Sequence, residues 1–180
     1  MTGRFDLDGK RILLVGATGV LGRTFAKALV EAGAEVALAD LPETDVLSLA
    51  EALGSKARAF EIDITDEGSV VDCIARTLDT LGGLDGVVAN AALTGEALLA
   101  AGDAFAPVET YPLEVWRRTL DVNLTGTFLL AREAGKAMKA RGGGSIVTVA
   151  SIYGVVAPDH SIYQGQPFAS FPGYAASKAG

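Results

Sequence analysis

The chain has 180 residues, 49% hydrophobic and 21% charged, enough for one domain with a sizeable core. Its net charge of −7 leaves no basic stripe to neutralise phosphates, which argues against nucleic acid or an acidic membrane as a partner. One cysteine, Cys73, and one histidine, His160, exclude an intrachain disulfide and argue against a Cys/His metal cluster, so no metal is expected.

The opening MTGRFDLDGKR carries acids and no apolar stretch, so it does not read as a signal peptide. No apolar run approaches the ~18 residues of a membrane span, and a cytoplasmic location is the default expectation. RILLVG (11–16) then predicts a strand, and VLGRTFAKALVEAG (20–33) a helix stopped by Gly33. AEVALAD (34–40) predicts a second strand, 44–53 a short helix, and ARAFEID (57–63) a third strand. In the helix predicted over 66–81, Val70, Cys73, Ile74, Leu78 and Leu81 share one face, which makes Cys73 a buried thiol. LDGVVAN (84–90) and GSIVTVAS (144–151) predict the fourth and fifth strands. Between them one long helix is predicted from Pro112 to Arg141, with Trp116 as a packing residue, closed by the glycines at 142–144.

Strands alternating with helices imply an α/β fold: a Rossmann-type, doubly wound parallel sheet of five strands with helices on both faces. Residues 91–111 and 152–171 show no period, and loops of that length in compact domains are usually functional or disordered. Both leave the C-terminal ends of strands, so both are expected to wall a substrate cleft. His160 falls in the second as a solvated loop residue.

VGATGVLGR joins the first strand to the first helix, with glycines at 16, 19 and 22. Such glycines allow a tight turn, close approach of a pyrophosphate and helix–strand packing, with the helix dipole favouring the phosphates. Thr18, Val20 and Leu21 belong to the same cofactor-binding turn. Asp40, at the end of the second strand, suits the ribose 2′-hydroxyl of NAD and repels the 2′-phosphate of NADP. Leu41 beside it offers no offsetting base, so NAD is the expected cofactor and NADP the less favoured one.

Tyr174 and Lys178 stand one turn apart on one helix face. A free tyrosine, with a pKa near ~10, is a poor acid/base at neutral pH, and a lysine ammonium beside it would favour the phenolate. Tyr153 and Tyr163 have no lysine four residues on, so Tyr174 is the catalytic candidate.

Five ordered motifs together resemble the short-chain dehydrogenase/reductase family, in its compact single-domain branch: the glycine turn, ANAA (89–92), DVNLTGTFLLAREA (121–134), GSIVTVASIYG (144–154) and YAASK (174–178). The resemblance implies that Tyr174 is the general acid/base and that Lys178 lowers its pKa and binds the nicotinamide ribose. Ser151 would hydrogen-bond the reacting oxygen, and Asn123 would hold a water in a proton relay. Asp63 and Ile64 would sit near the adenine, and Asn90 and Ala91 would line the cofactor cleft. The function implied is NAD-dependent interconversion of a secondary alcohol and a ketone. The polar stretch PDHSIYQGQPFASFPG suits a hydroxyl-rich small molecule.

The glycine spacing GxxGxxG, with Val20 where this branch has its middle glycine, is commoner in the extended branch. A sugar-nucleotide epimerase or dehydratase is therefore the alternative, and a non-catalytic dinucleotide-sensing module a further one. Ser151 and Tyr174 also lie farther apart than the family's usual dozen residues. The family continues well past the lysine, so the expectation is a single NAD(P)-binding domain over 1–180 that lacks its C-terminal part. A homodimer or homotetramer is implied for a full-length form and should be weakened in residues 1–180, which alone should bind NAD weakly.

Overall fold

The computed structural model describes residues 5–100, 106–166 and 169–180. Residues 101–105 and 167–168, within the two aperiodic stretches, lie outside the described residues. By its internal contacts the chain divides into two compact units, 1–91 with 127–149 and 92–126 with 150–180.

The first unit is built on five strands: β1 (Arg11–Val15), β2 (Glu35–Asp40), β3 (Ala57–Glu61), β4 (Gly86–Ala89) and β5 (Ser145–Thr148). All pair in parallel, in the order β3-β2-β1-β4-β5. Helices α1 (Val20–Glu31), α2 (Val46–Leu53) and α3 (Glu67–Leu81) cross between strands. The remaining helices follow in chain order as α4 (Gly95–Ala100), α5 (Leu113–Leu120), α6 (Thr127–Lys139) and α7 (Pro172–Ala179), of which α6 belongs to this unit.

Alternation along the central strands sorts the core. Ile12, Leu14, Val36, Leu38 and Ala57 pack with Ala26 of α1 and with Val46, Leu49 and Ala50 of α2. Leu13, Val15, Ala37 and Ala39, one residue out of phase, are also buried, as period-two strands covered on both faces require. On α3 the buried residues are Val70, Cys73, Ile74 and Thr77, and burial pushes the Cys73 thiol up to about 11. Leu78 and Leu81, expected on that stripe, are only half-buried. Thr77, a polar residue the apolar pattern passes over, takes a fully buried place instead.

The first residue of β1 is latched to the residue before β4. The Arg11 guanidinium donates from Nε to Asp85 Oδ2 at 2.7 Å and from Nη2 to Oδ1 at 3.0 Å, and the Arg11 backbone N–H donates to Oδ2 at 2.9 Å. This pairing holds the Asp85 carboxyl at about 2, below its ordinary value of 3.8.

The second unit centres on α7 and α5. The expected single helix over 112–141 is helical throughout its middle but not uniform: Pro112 precedes α5, and Asp121–Gly126 form a π-helix before α6. An apolar pattern at 3.6 residues cannot reveal that widened turn, since it preserves the helix on either side. Among their described residues the aperiodic stretches hold α4 and the 3-10 turns Val108–Thr110, Ile152–Gly154 and His160–Tyr163. Pro172 occupies the first turn of α7, where its missing N–H costs nothing. At Gly173 a β-carbon would lie 3.1 Å from Thr119 Cβ, so α7 starts tight against α5. Among the described residues no helix is long and apolar enough to cross a membrane.

Candidate functional site

In the first unit, the site candidates gather at the C-terminal ends of β1 and β4. The strand order reverses between these two strands, which is where open α/β sheets bind ligands. Gly16 leaves β1 with φ +79°, a left-handed conformation that suits glycine. A β-carbon there would lie 2.5 Å from Ala91 N, and the Asn90 amide donates to the Gly16 carbonyl at 2.8 Å. Asn90 and Ala91, following β4, are thus packed onto the turn following β1. Gly22 is needed for a different reason, because a β-carbon would meet the Gly16 carbonyl oxygen at 2.1 Å.

Gly19 caps α1 without a side-chain bond, and its surroundings are open. Val20 and Leu21, the first residues of α1, are 81% and 52% exposed. The first N–H groups of a helix have no intrahelical acceptor, so this end presents donors and a positive dipole to solvent. A glycine turn packed too tightly for side chains at 16 and 22, open at Gly19 and leading into an exposed helix N-terminus, fits a pyrophosphate.

The Asp40 carboxylate accepts from the Thr18 N–H (2.8 Å), the Thr18 hydroxyl (2.7 Å) and the Leu41 N–H (2.9 Å). The acid is thereby held against the glycine turn. Arg23, in α1, escapes the sequence reading because the chain around Asp40 shows no base. Its Nε donates to the Thr18 carbonyl at 2.9 Å, while its Nη2 donates to both Asp45 oxygens, at 2.6 and 2.7 Å, and that ion pair raises the arginine's pKa and lowers the aspartate's from their ordinary values. Asp63, after β3, accepts from the Thr65 N–H (2.9 Å) and hydroxyl (2.7 Å). The Ile64 side chain is buried, so only its backbone is available to a ligand.

In the second unit, the π-helix carries Asn123 inward to 5% exposure. Its Oδ1 accepts from the Leu93 N–H at 2.6 Å, and its Nδ2 donates to the Leu93 carbonyl at 3.1 Å. Nδ2 also donates to the Ser177 hydroxyl at 3.1 Å, and that hydroxyl donates to the Tyr174 carbonyl at 2.8 Å. The sequence reading assigns no role to Leu93 or to Ser177, although Ser177 lies within YAASK.

Tyr174 stands on α7 with its ring 5.7 Å from that of Phe171, beside the cluster of Leu98, Val115 and Phe171. The Lys178 ammonium lies 5.7 Å from the Tyr174 ring centroid, within cation–π range, and burial lowers the lysine's pKa from 10.5. Helical spacing alone predicts this pairing of one turn. Ser151 precedes the turn Ile152–Gly154, and its Oγ accepts from the Tyr153 N–H at 3.2 Å. That turn runs hard against the end of α7: a β-carbon on Gly154 would lie 2.3 Å from the Lys178 carbonyl oxygen.

The remaining tyrosines pair with each other. Tyr153 and Tyr163 share a hydrogen bond of 2.8 Å between their hydroxyls, and this bond, then burial, pushes Tyr163 up to about 12. His160 is exposed, its ring 6.3 Å from that of Tyr163.

A parallel sheet ordered β3-β2-β1-β4-β5, a glycine turn leaving its first strand and a helix bearing Tyr-x-x-x-Lys define the class of dinucleotide-linked short-chain oxidoreductases. The profile of the family described as short chain dehydrogenase matches residues 10–180, and the chain belongs to that family. It is 40% identical over 162 residues to a 2,5-dichloro-2,5-cyclohexadiene-1,4-diol dehydrogenase of Sphingobium indicum, covering 89% of this chain and 62% of that protein. Among solved structures, NAD+-bound xylitol dehydrogenase superposes with a TM-score of 0.82 at 29% identity, over 96% of this chain and 61% of that one. NADPH-dependent 3-quinuclidinone reductase from Rhodotorula rubra does so with a TM-score of 0.78 at 30% identity, over 97% and 61%. The chain thus spans about 62% of the length of that curated relative.

Proposed function

We propose that the protein interconverts a secondary alcohol and a ketone with NAD, and that Tyr174 exchanges the proton. The observation that carries this reading is α7 itself, where Tyr174 holds the Lys178 ammonium over its ring while Asn123 is bonded into the same helix. Family membership adds the reaction class, and the nicotinamide would supply the hydride acceptor or donor.

In the oxidising direction Tyr174 accepts the hydroxyl proton as the carbinol C–H electron pair leaves, and in the reducing direction it returns that proton to the carbonyl oxygen. The Ser151 hydroxyl donates a hydrogen bond to the reacting oxygen. Lys178 favours the phenolate and, with Tyr174, would hold the nicotinamide ribose. Asn123 orders the proton path through its bonds to Leu93 and Ser177. In the first unit Gly16, Thr18, Gly19, Val20, Leu21 and Gly22 would hold the pyrophosphate. Asp63 and the Ile64 backbone would hold the adenine, and Asn90 and Ala91 would complete the cleft.

NAD rather than NADP is favoured by Asp40, a carboxylate held on Thr18 at the end of β2, which would suit a ribose 2′-hydroxyl and repel a 2′-phosphate. Arg23, bonded to the Thr18 carbonyl, has Asp45 as its ion-pair partner, so its charge is shared between two aspartates. A small hydroxylated substrate is supported by the names of the similar proteins, a diol dehydrogenase and a xylitol dehydrogenase, and by the polar stretch after Ser151.

Two measurements on the whole protein test this. Tyr174→Phe should lower kcat by at least ~10²-fold, within the range for general acid–base catalysis, with NADH affinity nearly unchanged. Titration should show NADH binding tighter than NADPH, with Asp40→Ala narrowing the difference. An active phenylalanine variant removes Tyr174 as the acid/base, and NADPH binding equal to NADH removes the cofactor assignment.

A further inference from the structure

We propose that Ser177 is a positioning residue for Tyr174, fixing the catalytic helix through Asn123 to the backbone of Leu93. The inference rests on the acid/base role proposed for Tyr174.

The direction of the hydrogen-bond chain follows from its first member. The Leu93 N–H can only donate, so the Asn123 side-chain oxygen must face it, at 2.6 Å. The amide nitrogen then has two protons to place. One goes to the Leu93 carbonyl at 3.1 Å, which leaves the other for an acceptor on α7. Ser177 Oγ is that acceptor, at 3.1 Å. Having accepted there, the serine sends its own proton to the Tyr174 carbonyl at 2.8 Å.

The serine therefore joins two things that the helix ladder does not connect: the peptide carbonyl of the candidate acid and the asparagine of the π-helix. Ser177 and Asn123 are 4% and 5% exposed, so bulk water does not stand in for either. A serine that only bonds back to its own helix is commonplace and slightly unfavourable there. Ser177 differs because a buried N–H from another element needs its oxygen. Leu93 and Tyr174 both pack against the cluster of Leu98, Val115 and Phe171, so the anchor of the chain and the residue it positions share one apolar support. Alanine at 177 keeps the helix and deletes the acceptor. Threonine keeps both.

The test uses the whole protein with Ser177→Ala, Ser177→Thr, Asn123→Ala and the Asn123→Ala/Ser177→Ala double variant. Ser177→Ala should lower kcat about 10-fold, since a small misplacement of a reacting group is costly, while KM and NADH affinity change less than about 2-fold. Ser177→Thr should recover most of that loss. In the double variant the serine change should add little to Asn123→Ala, as expected for residues acting through one contact. An unchanged kcat in Ser177→Ala, an alanine and a threonine variant equally impaired, or losses that multiply in the double variant would each overturn the proposal.

A readout free of turnover separates this inference from the functional reading. With fluorotyrosine incorporated and the Tyr174 resonance assigned through Tyr174→Phe, Ser177→Ala should shift and broaden that resonance, and Ser177→Thr should preserve it. A resonance that does not move overturns the positioning role whatever the turnover. If the protein oxidises no alcohol but the resonance moves as expected, the functional reading fails while the linkage stands.

Discussion

Replacing Asp85 by asparagine removes the carboxylate that ties the start of β1 to the start of β4. Three bonds between 2.7 and 3.0 Å converge on it from one residue, Arg11, and the two side chains are 28% and 29% exposed. Exposed ion pairs contribute little, but a forked arginine–carboxylate pair reinforced by a backbone N–H, mostly shielded from water, contributes more. The carboxyl lies at about 2 in the folded chain against 3.8 unfolded. By linkage that displacement is worth roughly 2 kcal/mol at neutral pH. Because the folded value is the lower one, the contribution is fully present above the unfolded value and disappears as pH falls through the folded one. Urea unfolding of the two proteins should therefore show a gap of roughly 2 kcal/mol at pH 7, shrinking to about 1 kcal/mol near pH 3. A gap below about 0.5 kcal/mol at pH 7, or one that holds steady or widens on acidification, would refute the reasoning.

Gly16→Ala should be more damaging than Gly19→Ala, because φ of +79° and a 2.5 Å approach to Ala91 N both oppose a β-carbon at 16, whereas the nearest atom at 19 is 3.7 Å away. Thermal unfolding and NADH titration of both variants check this, and equal effects would defeat it. Gly154→Ala should force the turn after Ser151 away from the Lys178 carbonyl, lowering Tm by several degrees, since overpacking of this kind costs on the order of 1–3 kcal/mol. A variant as stable as the parent, by thermal scan, would show that the contact yields.

The glycine turn was legible because its chemistry is local: a strand, three glycines and a helix follow one another, and Asp40 ends the next strand. What Asp40 holds was not legible, since Thr18 lies 22 residues away in sequence and only the parallel β1–β2 pairing brings them together. Arg23 was missed because its ion-pair partner Asp45 also lies 22 residues away, and its bond to the Thr18 carbonyl depends on how α1 starts. Tyr174 and Lys178 could be paired from helical spacing alone. The partners of Asn123 could not, because the π-helix that turns it inward leaves the apolar pattern of 113–139 intact, and nothing in the spacing of Ser177 distinguishes a structural hydroxyl from a solvated one. Tyr163, which has no lysine four residues on, is disfavoured by the structure as well, since its bond to Tyr153 pushes its phenol to about 12.

The last strand carries the remaining prediction. β5 pairs with β4 along one side, Gly86 to Ala89 against Ser145 to Thr148, and among the described residues no strand pairs with its other side. Every residue of β5 is exposed, including Ile146 at 38% and Val147 at 51%, which point to opposite faces of the sheet. An edge that is apolar and open is a template for pairing with another chain, which native proteins usually block with charge or cover with further structure. Residues 1–180 expressed alone should therefore self-associate in a concentration-dependent way, through backbone pairing rather than charge, and added salt should not disperse them. Val147→Lys should suppress that association by light scattering while leaving Tm nearly unchanged, because the replaced side chain is half out in solvent already. If the parent chain stays monomeric at high concentration, or if the lysine variant associates just as readily, β5 is not the adhesive edge.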